Sequence, residues 1–254
     1  DQGRHGLLLD REKPPRPRLF VISAGNIRDP RAEDDYLARC DVEPIEDPAQ
    51  AWNALTVGAY SANDDMRSAP EDFTGYEPIA PAGDLAPTSR TSVSFAHADW
   101  PFKPDVVADG GNLLRSPDGG TVDRSDHLSV LTTRFQPFGT GSFLTTSSDT
   151  SAASAQVAAI AASVQAEYPA LRPETVRGLV VHSARWADAM HAHQSSGKNP
   201  PKGELQVLRR RYGMGVPDLE RALRSASDAL TLVCERRAAP VQARTSAECR
   251  PCLP

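Results

Sequence analysis

Two short stretches hold side chains suited to acyl-group chemistry. Residues 146–158 read Thr-Ser-Ser-Asp-Thr-Ser-Ala-Ala-Ser-Ala-Gln-Val-Ala, which sets Thr150 and Ser151 at the mouth of an alanine-rich helix. The first N–H groups of a helix have no partner inside it, so a developing negative charge is stabilised there. A serine at that point can attack a carbonyl once a base removes its proton, and its own N–H can serve as an oxyanion donor. On the local pattern alone, a Ser at a helix start is most often only an N-cap. The second stretch, Leu19-Phe20-Val21-Ile22-Ser23-Ala24-Gly25-Asn26, is an apolar run closed by a glycine turn that presents an amide side chain. Asn26 is either an oxyanion donor or an ordinary turn residue, since Gly-Asn is a common turn pair.

The elements that must hold these residues are legible in outline. Leu19–Ser23, Ala54–Ala59 and Pro104–Ala108 are short apolar runs, the look of strands covered on both faces. The long segments between them suit parallel strands, which need crossover connections. Residues 61–102, rich in Pro, Ser, Asp and Ala, and 109–128, rich in Gly, Asp and Ser, are expected as loops. From Thr150, the residues Ala153, Val157, Ile160, Ala161 and Val164 recur at the spacing of one buried helix face. Pro173 stands where a first helical turn tolerates it, with Glu174 beside the positive dipole end, and Pro217 is expected to open the last helix in the same way. The fold class is therefore α/β, a parallel sheet flanked by helices.

Composition bounds the remaining possibilities. A chain of 254 residues can build one domain with a core. A formal charge of −5 gives no basic footprint for nucleic acid, and no apolar run reaches the length of a membrane span. The basic, proline-rich opening from Arg11 to Arg18 reads as a solvated loop. Cys40, Cys234, Cys249 and Cys252 are too dispersed for a disulfide framework. The pair Cys249 and Cys252 lacks the further ligands of a zinc site and reads as incidental thiols in a tail.

The stretches around Ser151 and Asn26 resemble two motifs of the subtilisin-like serine proteases (subtilases), G-T-S-x-A-x-P at a helix start and S/A-G-N after an apolar strand. Further segments are similar in the same order. These are residues 51–59 after the Asn turn, Lys103-Pro104-Asp105-Val106-Val107-Ala108, the helix-like run 168–184, and Tyr212-Gly213-Met214-Gly215 before the last helix. The resemblance covers roughly residues 18–234. Ser89-Arg90-Thr91-Ser92, Gly110-Gly111-Asn112 and residues 150–155 look like a divergent bacterial branch without a secretion signal, which implies a cytoplasmic rather than a secreted location.

The resemblance implies a serine endopeptidase in which Ser151 is the nucleophile and Asn26 an oxyanion donor. It implies a peptide or protein substrate; the residues themselves point to no cofactor and no metal ligand set, and calcium is left open. The family's Asp and His motifs, D-S/T-G and H-G-T, do not occur. Residues 18–234 are thus expected to be the C-terminal part of a catalytic domain, lacking the N-terminal strands and partnered by the missing N-terminal half. Residues 1–17 are expected as a loop or remnant of a preceding helix, and 235–254 as a disordered tail. The alternative is a catalytically inactive truncated remnant or a binding or regulatory fragment. None of His5, His97, His127, His182, His191 and His193 stands in the context of the family base. Asp149 replaces the motif glycine and Ala155 its proline, so a carboxylate is expected near Ser151. Without the N-terminal half, Leu19–Ile22 is expected to be an open apolar edge.

Overall fold

The computed structural model describes residues 17–32, 35–96, 100–136, 139, 141–195, 201–227 and 235. The expectations for the opening segment and the tail lie outside the described residues apart from Pro17 and Glu235, as do Cys234, Cys249, Cys252, His5 and His97. In chain order the elements are β1 (Val21–Ser23), α1 (Tyr36–Val42), β2 (Leu55–Tyr60), β3 (Glu77–Pro78), β4 (Val106–Asp109), β5 (Leu114–Arg115), β6 (Val122–Asp123), β7 (Val130–Thr133) and β8 (Leu144–Ser147). Helices α2 (Asp149–Glu167), α3 (Pro173–Ser183), α4 (Asp188–His191), α5 (Lys202–Tyr212) and α6 (Leu219–Ser227) follow.

The three apolar runs form one parallel sheet in the order β1-β2-β4, with Val21 opposite Leu55 and Val57 opposite Val106. Alternation along each strand sends side chains to opposite faces. Val57, Ala59, Val106 and Ala108 pack with Val157 and Val164 of α2 and with Val176, Leu179 and Val180 of α3. Val107 points the other way, into a second cluster with Leu85, Met190, Leu208 and Tyr212. On α2 the expected face is buried at Ala153, Val157, Ala161 and Val164, the two valines contributing about 1.5–3 kcal/mol each by leaving water. The outward face of the same helix shows Ala155, Ala158, Ala159, Ala162 and Ala166 to solvent.

The two edges of the sheet differ. Beyond β4 lies the Gly213-Met214-Gly215 turn, where Met214 N–H donates to the Asp105 carbonyl at 2.9 Å and Val107 N–H to the Gly215 carbonyl at 3.0 Å. A Cβ on Gly213 would stand 2.2 Å from the Asp105 carbonyl oxygen, so only glycine permits this approach. Beyond β1 no strand is paired among the described residues. Phe20, at its start, is 65% exposed.

Two polar hubs tie the layers together. Asp84, 2% exposed, accepts hydrogen bonds from the hydroxyls of Tyr36 (2.7 Å) and Tyr212 (2.6 Å) and pairs with His193 Nε2 at 2.8 Å. Buried Lys103 reaches Asp105 at 2.6 Å, and Arg177 of α3 reaches the same carboxylate at 2.8 Å.

Several elements differ from expectation. The two loop regions contain β3, β5 and β6, which form a small antiparallel sheet in the order β3-β5-β6. Two-residue strands are too short to show alternation. The β7–β8 hairpin, α1, α4 and α5 were not expected. The last helix begins at Leu219, because Asp218 Oδ1 accepts the Arg221 N–H at 2.7 Å and caps it. Pro217 lies before that cap.

Candidate active site

The turn after β1 sets Asn26. Gly25 has φ of +98°, and a Cβ there would lie 2.9 Å from Glu46 Cγ and 3.0 Å from Arg90 Cδ. The left-handed turn thus requires glycine. Ile27 N–H donates to the Thr88 carbonyl at 2.8 Å, and Arg90 Nε donates to the Asn26 carbonyl at 3.0 Å. Arg90 is itself held by Glu43 at 3.0 Å and Glu46 at 3.2 Å. The backbone of Asn26 is therefore fixed from both sides.

The start of α2 meets this turn. Thr150 donates to Asn26 Oδ1 twice, from its backbone N–H at 3.1 Å and from its hydroxyl at 2.6 Å. A backbone N–H can only donate, so the amide atom facing it must be the oxygen, and Nδ2 points elsewhere. Among the described residues that NH2 group has no acceptor. Ser148, at the N-cap position, makes no side-chain cap bond. Asn26 takes over that role across 124 positions of sequence.

Ser151, the third residue of α2, is exposed, and among the described residues its side chain has no hydrogen-bond partner. The structure thus sets Asn26 against Thr150, the residue immediately before Ser151. Both motifs lie past the C-terminal ends of strands, Asn26 after β1 and the helix mouth against Gly110 after β4. In parallel sheets such ends are where ligands bind. Asp149 N–H donates to the Gly110 carbonyl at 2.8 Å, and a Cβ on Gly110 would stand 3.0 Å from the Asp149 carbonyl oxygen.

Asp149 has φ of +69° and is the only non-glycine residue with positive φ among the described residues. That conformation accounts for a glycine in the related motif, and Asp is among the few other residues that adopt it. Its carboxylate does not stand free. Thr88 donates its hydroxyl to Oδ1 at 2.7 Å, and Arg124 Nη2 lies 2.9 Å from Oδ1 and 3.0 Å from Oδ2. A cavity of about 490 Å³ opens beside these groups, lined by Asn26, Arg28, Leu113, Val122, Arg124 and Asp149.

The described histidines lie elsewhere. His127 Nε2 is 2.7 Å from the Asp65 carbonyl oxygen, His191 packs edge-on against Trp186, and His193 belongs to the Asp84 hub. His182 is in the last turn of α3. The hub lies with Tyr212 in the cluster across the sheet from α2. Among the other segments with family likeness, Asn112 is structural. Its side chain accepts the Ala80 N–H at 3.2 Å and donates to the Ala80 carbonyl at 2.7 Å. Sequence reasoning missed Thr88, Arg124 and the hydrogen bonds of Thr150. Arg124 is an isolated basic residue in a polar stretch and carries no signal of its own.

At the carboxyl end of the parallel sheet the structure thus brings together an Asn amide whose NH2 group has no acceptor among the described residues and, through Thr150, the helix turn that carries exposed Ser151. Residues 3–215 match the model of the subtilase family, and the chain belongs to that family of serine proteases. Over 247 residues it is 29% identical to "Uncharacterized protein y4bN" of Sinorhizobium fredii (strain NBRC 101917 / NGR234), covering 92% of this chain and 54% of that protein. Among solved structures it is similar to a protease from Pseudoalteromonas arctica PAMC 21717, with 19% identity, a TM-score of 0.46, and coverage of 82% of this chain and 43% of that one. It is also similar to MycP1 from Mycobacterium smegmatis, with 17% identity, a TM-score of 0.38, and coverage of 92% and 46%. The chain spans about half the length of these relatives.

Proposed function

We propose that this chain supplies the nucleophile and one oxyanion donor of a serine endopeptidase, with the base and its acidic partner contributed from outside the described residues. In this reading the chain is the C-terminal half of a catalytic domain, and its partner is the N-terminal half. The observation that carries it is the Asn26 amide, its oxygen held by Thr150, the residue before exposed Ser151, and its NH2 group without an acceptor among the described residues. Ser151 Oγ would attack the scissile carbonyl of a peptide or protein substrate. The Ser151 N–H and Asn26 Nδ2–H would receive the charge that forms on its oxygen.

The open edge of β1 and the alanine face of α2 support a complementary half. Between them runs a groove of about 920 Å³, lined by Leu19, Val21, Ala158, Ala162, Leu171 and Val176. An added strand would pair with the edge and fill the groove.

A second reading, an inactive remnant or binding fragment, is favoured by one observation: no described histidine contacts Ser151. Labelling with a fluorophosphonate probe separates the two. Labelling of Ser151 that requires an N-terminal half, and is lost in Ser151→Ala, is the expected result. Strong Ser151-dependent labelling of the chain alone would refute a base supplied by the N-terminal half. No labelling in either form would leave the remnant reading standing.

A further inference from the structure

Asp149 brings a negative charge to the helix mouth, two residues from Ser151, where any oxyanion must form. A free carboxylate there would oppose both proton removal from Ser151 and charge on the substrate oxygen, because charges within about 8–10 Å interact before salt screens them. The structure deals with this charge directly. The left-handed backbone at Asp149 turns its side chain toward Thr88 and Arg124, and the guanidinium spans both carboxylate oxygens at 2.9 and 3.0 Å. Its other arm, Nη1, donates to Ser148 Oγ at 2.5 Å. One cation therefore holds both residues that lead into Thr150.

Arg124 is placed for this by its own neighbours. It follows β6, whose residues Val122 and Asp123 pair with Arg115 and Leu114 of β5. It precedes Ser125, whose buried hydroxyl accepts the His127 N–H at 3.2 Å. The small antiparallel sheet and the turn after it thus carry a guanidinium to the mouth of α2. The Asp149 side chain is 21% exposed and that of Arg124 44%.

We infer that Arg124 is a positioning residue for the Ser151 site: it binds the Asp149 carboxylate and keeps that charge from the oxyanion. The inference rests on the reading of Ser151 as nucleophile and Asn26 as donor. It assigns a reason for a carboxylate to stand where the related motif has glycine, because the pair together is neutral.

The test compares Arg124→Ala, Arg124→Lys, Asp149→Gly and the double variant Arg124→Ala with Asp149→Gly. The rate of fluorophosphonate labelling at Ser151 is followed in the protein supplied with its N-terminal half. Arg124→Ala is expected to slow labelling at least tenfold and Arg124→Lys less than threefold. The double variant should return to within about threefold of Asp149→Gly alone. A merely structural fastener would not be rescued by deleting the charge it binds. Wild-type labelling by Arg124→Ala, or a double variant as slow as Arg124→Ala, overturns the inference. Should wild-type Ser151 not label at all, the endopeptidase reading fails, and the NMR signal of the Asn26 NH2 group in the 254-residue chain decides. A displacement by Arg124→Ala that Asp149→Gly largely cancels supports the positioning role. No displacement, or one that Asp149→Gly leaves in place, overturns it.

Discussion

Asn26 holds two separable properties, an acceptor that caps α2 and a donor without an acceptor among the described residues, and two substitutions pull them apart. Asn26→Ala removes both. The Thr150 N–H loses a cap worth about 1 kcal/mol, and the Thr150 hydroxyl, on a fully buried residue, loses a hydrogen bond worth about 1 kcal/mol. The expected destabilisation is therefore about 2 kcal/mol, the sum of those two contributions. Asn26→Asp keeps an oxygen in front of Thr150 and adds a negative charge at a helix N-terminus, where it is favourable by about 0.3–1 kcal/mol. That gain offsets repulsion from Asp149, so its stability should stay within about 0.5 kcal/mol of wild type. Urea denaturation of the chain measures both. For the chemistry the two variants should behave alike, because neither retains the NH2 donor. Each should slow Ser151 labelling in the complemented protein by about 10²–10³, the usual cost of one oxyanion donor. Equal destabilisation by Ala and Asp would refute the cap, and an Asp variant that labels at the wild-type rate would refute the donor.

Asp84→Ala leaves the hydroxyls of Tyr36 and Tyr212 without their acceptor. At about 1–3 kcal/mol for each orphaned buried group, a loss of about 3 kcal/mol is expected in urea denaturation, and a loss below about 1 kcal/mol would refute the hub. Burial alone would raise the Asp84 pKa, but hydrogen bonds from Tyr212, Tyr36, His193 and the Leu85 N–H together hold it below the ordinary carboxylate value. A depressed folded pKa gives stability that is present above the unfolded value of about 3.9 and lost as pH falls toward the folded one. Acid titration of stability should show this loss below about pH 4, and Asp84→Asn should flatten it. Gly215→Ala sets a Cβ 2.2 Å from the Arg185 carbonyl on a backbone with φ of +98°, so it should lower Tm by several degrees, and an unchanged Tm would show that the turn is not strained. The chain alone should self-associate through the β1 edge in light scattering, and Phe20→Lys should reduce this. A monodisperse wild-type monomer would refute the open edge.

What was legible in the sequence follows from which interactions are local. The runs at β1, β2 and β4 are apolar on both faces, and α2 repeats its buried positions over three turns, so each signals its own structure. Helix α5 was missed because the charges of Lys202, Glu204, Arg209, Arg210 and Arg211 mask the stripe of Leu205, Leu208 and Tyr212. The β7–β8 hairpin keeps Leu131 at 67% and Leu144 at 54% exposed, so no burial pattern marks it. At the site, Ser151 and Asn26 stood out because helix starts and glycine turns have local signatures. Thr88 and Arg124 act across 61 and 25 positions, and a contact of that kind leaves no trace in spacing.

The identity of residue 26 bears on the choice between an active protease half and a remnant. A cap for Thr150 asks only for an acceptor, and Asp provides one as well as Asn does. A remnant that kept residue 26 for its cap alone would gain nothing from the NH2 group, which has no acceptor among the described residues. Half-buried polar groups without partners cost stability unless water or a ligand satisfies them. The Asn26 NH2 group has no acceptor among the described residues, and solvent water or, under the proposed function, the oxygen of a bound substrate carbonyl would satisfy it. The cap accounts for an oxygen at this position, and under the proposed function an oxyanion role would account for the nitrogen beside it.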